Sequence, residues 1–162
     1  SGKEWNMIGF MLVVLGAALA TGLAGTGSAI GTGIAGQAAN GVTSEDPGKF
    51  GILLLLQALP GTQGIYGLVA MFMIVNKLPA ADQFANISVG SGMAMLGAAL
   101  PVGLVGLISA VYQGKVCASA INMVAKRPGE VGKGMVYGVV VETYAVLGLL
   151  STILLLQRIS LG

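Results

Sequence analysis

The sequence predicts an all-α membrane protein whose four transmembrane helices form two tandem hairpins, and three observations carry that prediction. Of its 162 residues 55% are hydrophobic and only 9% are charged, with a mean hydropathy of +0.88, against roughly 25% charged residues in an average soluble domain. Long uncharged runs, each able to cross a bilayer as a helix, recur between short polar segments. The second half also repeats the first. Pro47 and Pro128 stand 81 positions apart, and the same offset places Gly22 on Gly103, Gly25 on Gly106, Ser28 on Ser109, Ala29 on Ala110, Gly33 on Gly114, Gly51 on Gly132 and Gly67 on Gly148. A fixed period marks a repeated structural unit, which divides the chain into a first hairpin, 1–81, and a second, 82–162.

Composition also excludes several function classes. A net charge of +2 without a basic cluster gives no surface for nucleic acid. The chain has one cysteine, Cys117, and no histidine, so an internal disulfide is impossible and a zinc site is not expected. Cys117 reads as a small packing residue. No phosphate-cradling GxxxxGK[ST] loop occurs, so the chain is expected to be non-catalytic toward ATP.

In chain order, Ser1 to Glu4 is a polar lead and Trp5 suits an interfacial anchor. Trp5 to Ser44 carries no charge, and it runs too far without a break to be a signal peptide, so it reads as a permanent first helix. Two rows of small residues run along it, Gly25, Ala29, Gly33 and Gly27, Gly31, Ala35, and such rows let helix backbones approach closely in lipid. Gly41 to Gly48 reads as a turn, with Pro47 and two acids. The second helix covers Phe50 to Asn76 and is interrupted by Pro60, which removes an N–H donor and leaves backbone oxygens free. Lys77 to Asn86 is a polar connection, and the third helix runs from Ile87 past Gly114 toward Ala125. Ala125 to Lys133 is the last turn, followed by the fourth helix. Lys126, Arg127 and Lys133 favour a cytoplasmic last turn, and the repeat puts Gly41 to Gly48 on the same side; Lys3, Lys77 and Arg158 opposite make the bias small. Lys115 is read as snorkelling toward that side or meeting lipid headgroups.

The fourth helix holds the feature that points to function. Glu142 is the one charged residue between Gly134 and Gln157. An ionised carboxylate in hydrocarbon costs several kcal/mol, so such residues are paired or neutralised and mark ion or proton pathways; the plainer alternative is a buried carboxyl that stays protonated and serves packing. The repeat puts Gly61 opposite Glu142 and Thr62 opposite Thr143, so the first hairpin lacks the carboxylate and carries Thr62 and Gln63 beside the vacancy. Glu142 lies 14 residues after Pro128, Gln113 lies 15 before it, and Thr62 lies 15 after Pro47. At about 1.5 Å per residue all of them, with Gln63, sit roughly 20 Å from the turns. Gln113 alone could serve as an interhelical hydrogen-bonding group. One carboxylate with several neutral oxygens at one depth reads as a cation site.

The segments LPGTQGIYG (Leu59 to Gly67), YQGK (Tyr112 to Lys115) and VETYAVLG (Val141 to Gly148) closely resemble those of the V-type ATPase proteolipids, the rotor-ring K or c subunits, and most of all the bacterial sodium-translocating form. The resemblance covers nearly the whole chain. It implies that Glu142 carries the ion, that Thr62, Gln63 and Gln113 supply side-chain oxygens and Leu59 a backbone carbonyl, and that Tyr66 holds the carboxylate in its closed arrangement. It further implies a closed ring of identical subunits in a bacterial cell membrane, with the first and third helices inside. Its partners would be membrane lipid, central-stalk subunits and a stator subunit whose arginine prompts ion release. Na⁺ is the expected ion because it needs several oxygens in place of its water shell, whereas H⁺ needs little more than Glu142. The alternatives are a proton-carrying ring and, more distantly, a small four-helix cation or drug antiporter, which resembles others of its kind in holding its glutamate in the first helix.

Overall fold

In a computed structural model the chain is a bundle of long helices; it describes residues 2–161, with side chains from Met7 onward. The expected roles of Lys3, Glu4 and Trp5 at the start of the chain lie outside the described side chains. Helix α1 spans Gly2–Glu45, α2 Phe50–Ala58, α3 Thr62–Val75, α4 Val89–Lys126 and α5 Val131–Arg158. With α2 and α3 counted as one span, four segments are long and apolar enough to cross a membrane. This is the architecture of two tandem hairpins.

Both turns on the Pro47 and Pro128 side are shorter than composition suggests. Helix α1 continues through Thr43, Ser44 and Glu45, and α4 continues to Lys126, before one-turn 3-10 segments at Pro47–Lys49 and Pro128–Glu130. Polar side chains alone do not end these two helices; each stops just before a proline, which disfavours the helical region for the residue preceding it. Asp46 and Arg127 accordingly adopt φ −140°. Asp46 Oδ1 accepts from the Gly48 N–H at 3.1 Å. Lys49 donates to the Ala125 carbonyl at 2.8 Å, tying the two turns together at one end of the bundle.

Proline also shapes the spans themselves. At Pro60, which offers no backbone donor, the helix passes through a 3-10 turn, Leu59–Gly61, before α3 begins. Pro101 stands inside α4 without ending it, and the Val102 N–H next to it donates to the buried Thr152 hydroxyl at 3.2 Å.

Helices α1 and α4 pack along their length, with α2 and α3 against α1 and α5 against α4. Glycine decides how close they come. A Cβ on Gly27 would strike the Leu107 backbone, one on Gly31 the Ala110 carbonyl, and one on Gly114 the Gly31 backbone. The row Gly27, Gly31, Ala35 is therefore the internal seam, whereas a Cβ on Gly33 of the other row would meet open space. Gly27→Val is expected to lower the stability of the bundle by about 1–3 kcal/mol through overpacking, while Gly41→Val, with open space around it, leaves it unchanged. Thermal unfolding in detergent measures the difference.

Two apolar clusters fill the bundle. Val13, Ala17, Ala70, Ile74, Met95 and Leu156 belong to one. Ala35, Leu53, Leu56, Cys117, Ile121 and Val124 belong to the other, where Cys117 is a free, buried packing residue. Four of the buried polar residues, Ser28, Gln63, Ser109 and Gln113, fall between these clusters along their helices. A polar layer thus crosses the bundle at mid-height.

Candidate functional site

The polar layer converges on Glu142. Tyr66 on α3 donates its hydroxyl to Glu142 Oε1 at 2.6 Å, and Gln113 on α4 donates its amide to Oε2 at 3.3 Å. The same Gln113 nitrogen donates to the Gly138 carbonyl, one turn before Glu142 on α5, at 3.1 Å. Gln63 donates to Gln113 Oε1 at 2.5 Å. The Thr62 hydroxyl lies 3.1 Å from the Leu59 carbonyl and 3.3 Å from Gln63 Oε1. All six residues singled out in the sequence are brought into one connected network.

Local folding explains each position. The 3-10 turn at Leu59–Gly61 ends with the Thr62 N–H on the Leu59 carbonyl, so Leu59, Thr62 and Gln63 face the layer together. The start of α3 is held by Ser28, whose Oγ accepts from the Gly64 N–H at 2.8 Å. Gly67, one turn further, lies against the Ala20 carbonyl, leaving no room for a side chain. Gly138 is small for a similar reason: a Cβ there would lie 3.1 Å from Leu59 and 3.2 Å from Cys117.

The amide orientations follow from their partners. Both acceptors around the Gln113 nitrogen, the Gly138 carbonyl and the Glu142 carboxyl, are oxygens, so the nitrogen side of that amide is committed to them. The Gln63 nitrogen is committed to Gln113 in turn. Each amide therefore presents its oxygen, which has two lone pairs and accepts at most one contact within the network. Both Glu142 oxygens receive a donor, the pattern that suits an acceptor-only carboxylate. No base neutralises it among the described residues, where the ion pairs are Lys49–Asp46 and Lys133–Glu130, both at the turns. Lys115 instead stacks its ammonium 4.7 Å from the centre of the Tyr112 ring.

The donor set is thus one carboxylate, two amide oxygens, a hydroxyl and a backbone carbonyl. Hard monovalent or divalent cations take such oxygens, whereas softer metals prefer nitrogen or sulfur. A single carboxylate matches a single positive charge. The Gly138 carbonyl and the Ser28 clamp were not singled out in the sequence; the glycine one helical turn from Glu142 was the available signal for the first.

The family of ATP synthase C subunits matches the chain twice, over residues 15–74 and again over 96–155. The V-type sodium ATPase subunit K of Enterococcus hirae is 45% identical over 91% of this chain and 91% of its own length. The A-type ATP synthase subunit K of Methanocaldococcus jannaschii is 43% identical over 94% of this chain and 64% of its own length.

Proposed function

The chain belongs to the family of ATP synthase C subunits, and on that premise we propose that it is a rotor-ring component of a V-type ATPase that carries one Na⁺ at Glu142. The observation that carries this reading is the cluster of oxygens beside Glu142, a carboxylate with no basic partner among the described residues, where the amide nitrogens of Gln63 and Gln113 are taken up by protein acceptors, Glu142 itself among them. The ligands are Glu142, Gln113, Gln63, Thr62 and the Leu59 carbonyl, and Tyr66 locks the carboxylate by its hydroxyl. Each chain contributes two hairpins, 1–81 and 82–162, of which only the second bears the membrane carboxylate.

Physically the cycle is coherent. With Na⁺ bound, Glu142 forms a neutral complex, which removes most of the cost of facing lipid as the ring turns. Opening toward a stator arginine would supply a competing positive charge and release the ion. The ATP is hydrolysed by other subunits, and central-stalk subunits pass their torque to the ring. A bacterial cell membrane is the setting this reading implies.

Equilibrium binding of radioactive sodium to the purified ring tests it. One Na⁺ per chain is expected, with none retained by Glu142→Gln. Binding unaffected by that substitution would contradict the site.

A further inference from the structure

Leu59, Thr62 and Gln63 sit at a helix start that has no cap of its own. We propose that Ser28 on α1 is a positioning residue for the ion: its hydroxyl caps α3 from the neighbouring helix and so fixes the Leu59 carbonyl, Thr62 and Gln63 at a spacing that favours Na⁺ over a larger cation. The inference deepens the sodium reading above and rests on it. Ser28 itself is not among the ligands.

A helix leaves its first N–H groups without carbonyls of its own to bond. An N-cap side chain usually takes one of them, from a residue whose backbone is not yet helical. At α3 neither condition is met. The N-cap residue is Gly61, which has no side chain, and its dihedrals are already helical, φ −79° and ψ −21°. Ser28 supplies the missing oxygen: its Oγ accepts from the Gly64 N–H at 2.8 Å, and Gly64 is the third residue of α3, a position that an N-cap side chain bonds. The helices meet closely here, since a Cβ on Gly64 would lie 3.3 Å from that Oγ and 3.5 Å from the Gly25 Cα. One turn along α1, a Cβ on Gly31 would strike the Pro60 ring. Helix α1 is thus the template on which the Pro60 turn is laid.

The second hairpin separates this role from packing. Ser109, the repeat counterpart of Ser28, is also buried, yet its hydroxyl has no hydrogen-bond partner among the described residues. The counterpart of Gly64 is Ala145, inside the unbroken helix α5, where the N–H belongs to the helical ladder. The serine hydroxyl therefore caps only where the helix is broken, and the break carries Leu59, Thr62 and Gln63. The lock on Glu142 is anchored elsewhere. Tyr66 stands beside Gly67, whose carbonyl accepts from the Thr21 hydroxyl at 3.2 Å, and Gln113 is held by the Gly138 carbonyl. Loss of the cap thus frees the neutral oxygens to spread around a larger ion while the carboxylate keeps its donors. Discrimination between cations rests on ligand number, cavity size and flexibility, and the cap acts on the last.

Binding of radioactive sodium to purified rings, with K⁺ as competitor, tests the proposal. Ser28→Ala is expected to lower Na⁺ affinity about three- to tenfold, in line with the loss of a helix cap, and to narrow the gap between Na⁺ and K⁺ affinities. The pH dependence of Glu142 labelling by a hydrophobic carbodiimide, measured without Na⁺, stays as it was. Gly64→Ala presses a methyl group against the Ser28 hydroxyl; it is expected to act in the same direction and carries the test if Ser28→Ala does not assemble. Ser109→Ala leaves the binding of both ions unchanged. Na⁺ affinity and K⁺ competition unaltered in Ser28→Ala and Gly64→Ala would overturn the proposal and leave the sodium site standing. A fall in Na⁺ affinity matched by an equal shift of the Na⁺-free labelling profile would overturn it too, because the whole site would then have loosened. An unaltered ring that binds no Na⁺ ends the sodium reading and this role with it.

Discussion

Replacing Glu142 with glutamine is expected to abolish ion transport while leaving the ring assembled. The amide keeps the shape of the side chain and can still meet the Tyr66 hydroxyl and the Gln113 amide, which lie 2.6 Å and 3.3 Å from the carboxylate oxygens. What it loses is the charge that a bound cation needs. An ion left without its counter-charge in a buried site costs about 3–5 kcal/mol, which corresponds to a loss of roughly a hundredfold or more in affinity. Sodium uptake by reconstituted vesicles and native electrophoresis of the same preparation measure the two halves. Transport that persists with Glu142→Gln would remove Glu142 from the pathway.

Gln113→Ala is the second large effect. Gln113 joins several groups: its nitrogen holds Glu142 and Gly138, and its oxygen receives Gln63. On the proposed sodium reading, removing it deletes one ligand and frees Gln63 to turn its nitrogen toward the ion. Bonds to charged groups contribute about 1.5–3 kcal/mol each, so Na⁺ affinity is expected to fall roughly ten- to a hundredfold. Thr62→Ala removes a single oxygen and should sit at the low end of that range. A sodium titration of the ring compares the two. Equal, unchanged affinities would mean that the amides only brace the carboxyl.

Much of this site was legible in the sequence because proline and the helical rise set depth. Counting from Pro47 and Pro128 puts Thr62, Gln63, Gln113 and Glu142 at one level, and the hydrogen bonds connect those residues. The wiring between them was not legible. Which atom of Gln113 faces Glu142 depends on the Gly138 carbonyl across the helix pair, and nothing local to Gln113 encodes it. The two glycine rows of α1 are equally good packing surfaces on paper. Only the pairing of helices makes Gly27 and Gly31 the inner seam and leaves Gly33 open. Polar composition draws the turn boundaries too wide, because it outweighs the proline that in fact ends each helix, as the helical Thr43 to Glu45 makes plain. Pro101 is a further case: α4 runs through it, and the neighbouring Val102 N–H donates to Thr152 on another helix, a partner that the local sequence does not reveal.

The claim that the carried ion is Na⁺ is tested most directly by competition at Glu142. A hydrophobic carbodiimide attacks the protonated acid, so it labels Glu142 faster as pH falls, and a bound Na⁺ excludes that proton. At fixed pH, millimolar Na⁺ is expected to slow labelling of Glu142, with K⁺ at the same ionic strength far less effective, and Gln113→Ala should shift the protection to higher Na⁺. Labelling that responds to pH alone, indifferent to Na⁺ and to the Gln113 substitution, would contradict the sodium site and leave a ring that carries protons.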